Sequence, residues 1–219
     1  MRPEALIFDM DGLMIDSERL YFEAEREIAG RFGKTVEDRT LWNMMGRKPL
    51  ESLAIYAKDL GLAGTVTPEE LLGIRDKIMK KKLAADLEPM PGLERIIGDF
   101  HGTLKLAVAT GAPMEFLDIT LDGLDLRDKF DVLQASDDIG RGKPDPEIYL
   151  TTCARLRLAP EACVVLEDAQ HGVVAAKAAG CHAVAVPTEY STGQDFSRAD
   201  FIAPDLSRAA DYIHELMNR

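Results

Sequence analysis

Ala5-Leu6-Ile7-Phe8-Asp9-Met10-Asp11-Gly12 is an apolar run that ends in two acids and a glycine. Four apolar residues between charged neighbours and a glycine turn predict a short buried strand over 5–8. Side chains alternate along a strand, so Asp9 and Asp11 leave its C-terminal end towards the same side. Open α/β sheets bind their ligands just beyond the carboxyl ends of the strands. Two carboxylates placed there repel each other, and their coexistence points to a cation or to divided protonation. Asp-Gly is also a frequent turn dipeptide, so the pattern alone leaves an ordinary turn open.

Three later segments repeat the arrangement. Leu106-Ala107-Val108-Ala109-Thr110-Gly111 is a second apolar strand, ending in a hydroxyl donor and a glycine that lets backbone N–H groups approach an anion. Gly140-Arg141-Gly142-Lys143-Pro144-Asp145-Pro146 holds a lysine in a stiff loop between glycines and prolines. Asp145 is expected to cap a helix whose first position is Pro146. Val164-Val165-Leu166-Glu167-Asp168 is a strand that again ends in acids, followed by a helix over 170–179 that Gly180 stops. Each segment alone has a plain structural explanation: turn residues, a solvated lysine, helix-start acids. One pocket for a hard divalent cation and a phosphate accounts for all of them together, because carboxylate oxygens suit Mg²⁺.

In this order, Asp-x-Asp-Gly, strand-Thr, Gly-Lys-Pro and Glu-Asp, the motifs resemble the haloacid dehalogenase superfamily of phosphoryl-transfer enzymes, from Ile7 to about Val186. Phe8 to Glu18, Gly142 to Pro146 and Glu167 to Gly172 resemble its β-phosphoglucomutase-like branch, and Met45-Gly46-Arg47-Lys48 and Met90-Pro91-Gly92 are similar to its pseudouridine-5′-phosphatase-type and sugar-phosphatase members. The resemblance implies that Asp9 is the nucleophile and Asp11 the general acid and base. It implies that Thr110, the Gly111 backbone and Lys143 hold the phosphoryl group. It further implies that Asp168, the Asp9 carboxylate and the Asp11 carbonyl ligate Mg²⁺, with Glu167 behind them. The dehalogenases lack the second aspartate, so Asp11 favours phosphoryl transfer over carbon–halogen cleavage.

The segment between the first strand and the second reads differently. Leu20, Ala24 and Ile28 recur at helical spacing, Thr67-Pro68-Glu69-Glu70 is a capping box, and a further helix follows Pro49 up to Gly61. Leu50, Leu53 and Ala57 are expected to face a bundle core. The expected architecture is α/β: a Rossmann-like, doubly wound parallel sheet from residues 1–15 and 88–219, with an all-helical cap domain inserted at 16–87. Between Asp16 and Asp86 there are 13 acids and 13 bases, so the remaining 25 acids and 13 bases carry the whole net charge of −12. That balance argues against nucleic-acid binding. The Lys80-Lys81-Lys82 run is read as a solvated helix face. Cys153, Cys163 and Cys181 form no Cys-x-x-Cys pair, which favours reduced thiols in a cytoplasmic setting. The first strand begins within a few residues, leaving no room for a signal peptide, and no apolar run approaches a membrane span of roughly 20 residues. A cytoplasmic monomer is expected, with no nucleic-acid or membrane partner.

Hydrolase and mutase are the two nearest activities. Where β-phosphoglucomutases carry a threonine and a cap histidine, this chain carries Ser17 and Tyr21, and their phosphate-binding cap arginine aligns with Pro49, with Arg47 or Lys48 as substitutes. A phenol of pKa near 10 handles protons less well at neutral pH than imidazole does. The expected function is therefore Mg²⁺-dependent hydrolysis of a small phosphorylated metabolite, a sugar phosphate or nucleoside monophosphate. A β-phosphoglucomutase-type mutase is one alternative. A non-catalytic phospho-acceptor module like a bacterial receiver is another, although receivers are about half this length and phosphorylate a middle strand.

Overall fold

The computed structural model describes residues 2–45, 47 and 49–218. Six strands, β1 (Ala5–Phe8), β2 (Lys105–Ala109), β3 (Val132–Gln134), β4 (Cys163–Glu167), β5 (His182–Ala185) and β6 (Phe201–Ile202), form one parallel sheet in the order β3-β2-β1-β4-β5-β6. β1 and β4 are buried at every position, and β2 at all but its first. Continuous apolar runs of this kind mark strands covered by helices on both faces. The order reverses at β1, the switch point where such sheets place their ligands. This is the doubly wound α/β fold expected from the sequence.

The chain divides into two compact units, one made of the residues up to Asp16 and from Leu87 onward, the other of Ser17–Asp86. The first contains the sheet together with α5 (Leu93–Phe100), α6 (Met114–Gly123), α7 (Glu147–Leu156), α8 (Gln170–Ala179) and α9 (Leu206–Met217). α8 has the expected bounds, and Gly180 closes it in the left-handed region at φ 91°. α7 begins one residue later than expected. Pro146 takes the capping position, and Asp145 Oδ1 accepts the Glu147 N–H at 3.1 Å, the Asp side chain bonding its own backbone two residues on.

The second unit comprises α1 (Ser17–Arg31), α2 (Asp38–Met44), α3 (Pro49–Asp59) and α4 (Pro68–Ala85), and no strand among its described residues. Leu20, Ala24 and Ile28 of α1 are buried as their spacing predicts. Leu53 and Ala57 of α3 are buried too, but Leu50 is 42 % exposed, because it lies in the first turn, ahead of the buried stretch that starts at Ser52. The capping box is present, Thr67 Oγ1 accepting from Glu70 N and Glu70 Oε2 from Thr67 N. Of the lysine run, Lys82 pairs with Glu23 at 2.7 Å and Lys81 is exposed.

The three cysteines are buried and unbridged. Among the described residues, no helix is long and apolar enough to cross a membrane.

Candidate active site

Strand register decides which side chains meet. Phe8 pairs with Val108 on one side and Leu166 on the other, so Asp9, Ala109 and Glu167 come next, abreast at the edge where the sheet ends. The Asp9 N–H extends the ladder by donating to Leu166 O at 3.0 Å. Lys143 reaches them from the loop before α7 and is followed by a cis Lys143–Pro144 bond. Its Nζ donates to Asp9 Oδ1 at 2.5 Å, to Glu167 Oε1 at 2.6 Å and to Ala109 O at 3.3 Å. Asp9 and Glu167 are buried, and the Lys143 side chain retains only 15 % exposure.

Asp9, Glu167 and Asp168 each place a carboxylate oxygen within 4.8 Å of the others. Three buried acids facing one ammonium leave excess negative charge, and hard oxygen donors of this kind fit a hard divalent cation. Gly12 is part of the same construction. It sits at φ 75°, and a Cβ there would strike the Asp168 carboxylate, so only glycine allows that acid its place. Burial pushes the Asp9 carboxyl up to about 8, with Glu167 and Asp11 adding to the rise and Lys143 opposing it. Burial also works against the charge of Lys143, but the carboxylates of Asp9 and Glu167 outweigh it and hold its pKa well above the ordinary value.

Asp11 lies across from β2, where Thr110 Oγ1 donates to its Oδ2 at 3.3 Å and accepts from Ala112 N at 3.0 Å. Thr110 is wholly buried, whereas Gly111 is exposed and has open space where a Cβ would stand. Asp9, Asp11, Thr110, Lys143, Glu167 and Asp168 are thus brought together by strand ends and one loop. The acid cluster contains Asp9 and Asp168 of the expected ligand set together with Glu167, which was expected behind them; the third expected ligand, the Asp11 carbonyl, is a backbone atom.

The residues singled out in the helical unit have local partners. Ser17 starts α1 with its Oγ buried and unmatched. Tyr21 is half-buried, with the Arg75 guanidinium 5.4 Å from its ring centroid. Arg47 is exposed and engaged within its own unit, Nε with Asn43 O and Nη1 with Glu51 Oε1, both at 2.8 Å. Lys48 lies outside the described residues.

Two residues at the site were not anticipated. Tyr149 of α7 is fully buried, its hydroxyl donates to Glu167 Oε1, and Lys143 Nζ lies 5.1 Å from its ring centroid. Gly172 of α8 leaves room for Glu167, whose carboxylate a Cβ there would strike. Tyr149 stands three residues after Pro146, on the first turn of a helix that starts beside the lysine, and that spacing was its only signal.

A sheet of this order with acids, a hydroxyl and a lysine at its strand ends defines a class of phosphoryl-transfer hydrolases. The chain belongs to the haloacid dehalogenase-like hydrolase family, whose model matches residues 6–186. It is 39 % identical over 179 residues to the phosphorylated carbohydrates phosphatase of Thermotoga maritima, covering 81 % of this chain and 82 % of that protein. It is 34 % identical over 185 residues to the fructose-1-phosphate phosphatase YqaB of Escherichia coli, covering 84 % and 97 %. Among solved structures, a provisionally assigned β-phosphoglucomutase from Thermotoga maritima matches with a TM-score of 0.82 at 33 % identity, over 97 % of this chain and 99 % of that one. The named phosphatases among these relatives agree with the phosphoric monoester hydrolase expected from the sequence.

Proposed function

We propose that this protein is a Mg²⁺-dependent phosphatase that releases inorganic phosphate from a small phosphorylated metabolite through an aspartyl-phosphate on Asp9. A sugar phosphate is the favoured substrate class, since the relatives named above act on phosphorylated carbohydrates and fructose 1-phosphate. The observation that carries the proposal is the placement of Lys143 on one oxygen of Asp9 beside the Asp9–Glu167–Asp168 cluster. The ammonium fixes the carboxylate and offsets its charge, which a phosphate anion must otherwise approach against repulsion.

Asp9 attacks phosphorus, and the alkoxide leaves with a proton from Asp11. Asp11 then takes a proton from the water that hydrolyses the acyl phosphate, dividing one hard step into two easier ones. Thr110, the backbone N–H of Gly111 and Lys143 hold the phosphoryl oxygens. The Thr110 hydroxyl also reaches Asp11, which keeps the acid beside the group it protonates. Asp9, Asp168 and the Asp11 carbonyl would hold Mg²⁺, which supplies charge neutralisation of the phosphoryl oxygens. Enzymes accelerate monoester hydrolysis by up to about 10²¹, while acid–base help gives roughly 10²–10⁴, so positioning and electrostatics carry most of the effect. In this proposal residues 16–87 serve as the cap that selects the leaving group, the protein is monomeric and cytoplasmic, and it has no nucleic-acid partner.

A mutase is the second reading, favoured by the likeness to the provisionally assigned β-phosphoglucomutase. Tyr21 in place of the histidine, and an Arg47 already engaged by Asn43 and Glu51, weigh against it. A panel of sugar phosphates and nucleotides screened for phosphate release decides the matter. Release should need Mg²⁺, stop with chelator, and be poorly supported by Ca²⁺, whose longer bonds misplace the phosphate. Full activity in chelator overturns the proposal. So does rapid conversion of β-glucose 1-phosphate, with catalytic glucose 1,6-bisphosphate, into glucose 6-phosphate without free phosphate.

A further inference from the structure

Tyr149 takes no part in the steps above, yet it touches both Lys143 and Glu167, one of the carboxylates that hold it. A lysine ammonium sits on a flexible four-carbon stem and loses much rotamer freedom when it is held in one place. Here it is held on four sides: by Asp9 Oδ1, Ala109 O, Glu167 Oε1 and the Tyr149 ring face. Glu167 Oε1 is itself pinned, because it accepts from the Tyr149 hydroxyl as well as from Lys143. The Glu167 carboxylate lies in the space that the missing Cβ of Gly172 leaves open. Without the hydroxyl, Glu167 keeps Lys143 as its one strong donor and is free to leave its present rotamer, drawing Lys143 away from Asp9.

We propose that Tyr149 is a positioning residue for phosphate binding: its hydroxyl locks Glu167 and its ring seats Lys143, so that the ammonium is already aimed when the phosphate arrives. The proposal rests on the phosphatase reading for the role of Lys143. It differs from a purely structural account, in which the hydroxyl serves only to satisfy a buried carboxylate and its loss lowers stability without touching affinity.

The test uses the whole chain with Tyr149→Phe, which keeps volume and ring, and Tyr149→Leu, which removes ring and hydroxyl. Inorganic phosphate is titrated calorimetrically in saturating Mg²⁺. The expected loss of affinity is about tenfold for Tyr149→Phe, the size of one hydrogen bond to a charged group. A further severalfold loss is expected for Tyr149→Leu, from the missing cation–π contact. On an accepted substrate kcat/KM should fall by at least that factor, because Lys143 also fixes the Asp9 carboxylate that attacks. Mg²⁺ titrated alone should bind all three proteins within about twofold.

A double-mutant cycle guards against a merely unstable variant. In a Glu167→Leu background, which leaves the hydroxyl no acceptor at that position, the effect of Tyr149→Phe on phosphate affinity should largely disappear, because the hydroxyl acts through that carboxylate. Wild-type phosphate affinity in Tyr149→Phe overturns the proposal. An equal loss in both backgrounds does so too, as does a tenfold change in Mg²⁺ affinity. If no substrate is turned over by the wild-type protein, the phosphatase reading fails, while the phosphate titrations still report on Tyr149.

Discussion

In the α/β unit Lys143 lies 2.5 Å from Asp9 and 2.6 Å from Glu167, and Tyr149 adds another donor to Glu167. In the helical unit the buried pair Arg75 and Glu25 stands 3.7 Å apart, with Arg75 Nε and Glu25 Oε2 both lacking a hydrogen-bond partner. Both units bury opposite charges, but only the first satisfies them by geometry. The strand ends and the Gly-Lys-Pro loop deliver their groups at fixed positions, whereas two long side chains between α1 and α4 meet only loosely. A buried charge stripped of water needs several good partners to offset the loss. Arg75 finds part of its compensation on the Tyr21 ring, 5.4 Å away, which makes that seam a place where the helical unit gives up stability.

The largest effect that would break this comparison is on chemistry. Asp9→Asn should lower phosphate release on the order of 10⁴-fold or more, the scale seen when a nucleophile is removed. The fold should persist, since the amide can still accept from Lys143, and circular dichroism melting checks this. Substantial turnover by pure Asp9→Asn protein would remove Asp9 from the nucleophile role.

Next in size is the loose pair. Arg75→Leu leaves Glu25 buried without a counter-charge and should destabilise the chain by about 4 kcal/mol in urea unfolding at pH 7.5. Adding Glu25→Leu should restore most of that, because an apolar pair of similar volume can match a buried ion pair. A single variant as stable as wild type would mean that the pair is well hydrated.

A smaller effect is read from pH. Burial pushes the Glu25 carboxyl up from 4.5 to about 7, with Arg75 opposing the rise. Between those values the folded chain binds more protons than the unfolded one, so this group makes stability fall as pH rises from about 4.5 to about 7. At full effect a shift of that size corresponds to about 3 kcal/mol. The urea midpoints of wild type and Glu25→Gln, compared at pH 5 and pH 7.5, isolate the group. Parallel pH profiles would rule it out as the source. The smallest expected change is at Thr67→Ala, which removes one side of the capping box and should lower stability by about 1 kcal/mol, measured in the same way.

The same contrast sets how much was legible in the sequence. A strand that ends in acids is written in consecutive letters, so Asp9, Asp11, Thr110, Glu167 and Asp168 stood out from period and position alone. α8 was readable from Gln170 to its glycine stop because one residue, Gly180, carries the left-handed turn. Tyr149 was not readable, because a tyrosine on a helix is ordinary until the chain is folded and Glu167 arrives from another strand. α2 had no strong start signal, as Glu37 caps it without a side-chain hydrogen bond. Leu50 looked like core because periodicity does not say where along a helix the packed stretch begins.

The sheet order has a consequence for how the molecule is made. β1 is the earliest of the six strands in the chain, and it lies between two strands that follow much later, β2 at Lys105–Ala109 and β4 at Cys163–Glu167. On the ribosome the segment that carries Asp9 therefore leaves the tunnel with both hydrogen-bonding edges bare. The helices of Ser17–Asp86 need only near neighbours and are complete before either partner strand exists. Asp9 acquires Lys143 and the acids Glu167 and Asp168 only as residues 143–168 are synthesised, so a chain cut short before Glu167 holds the whole of Ser17–Asp86 and none of the acids that gather around Asp9 from the end of β4.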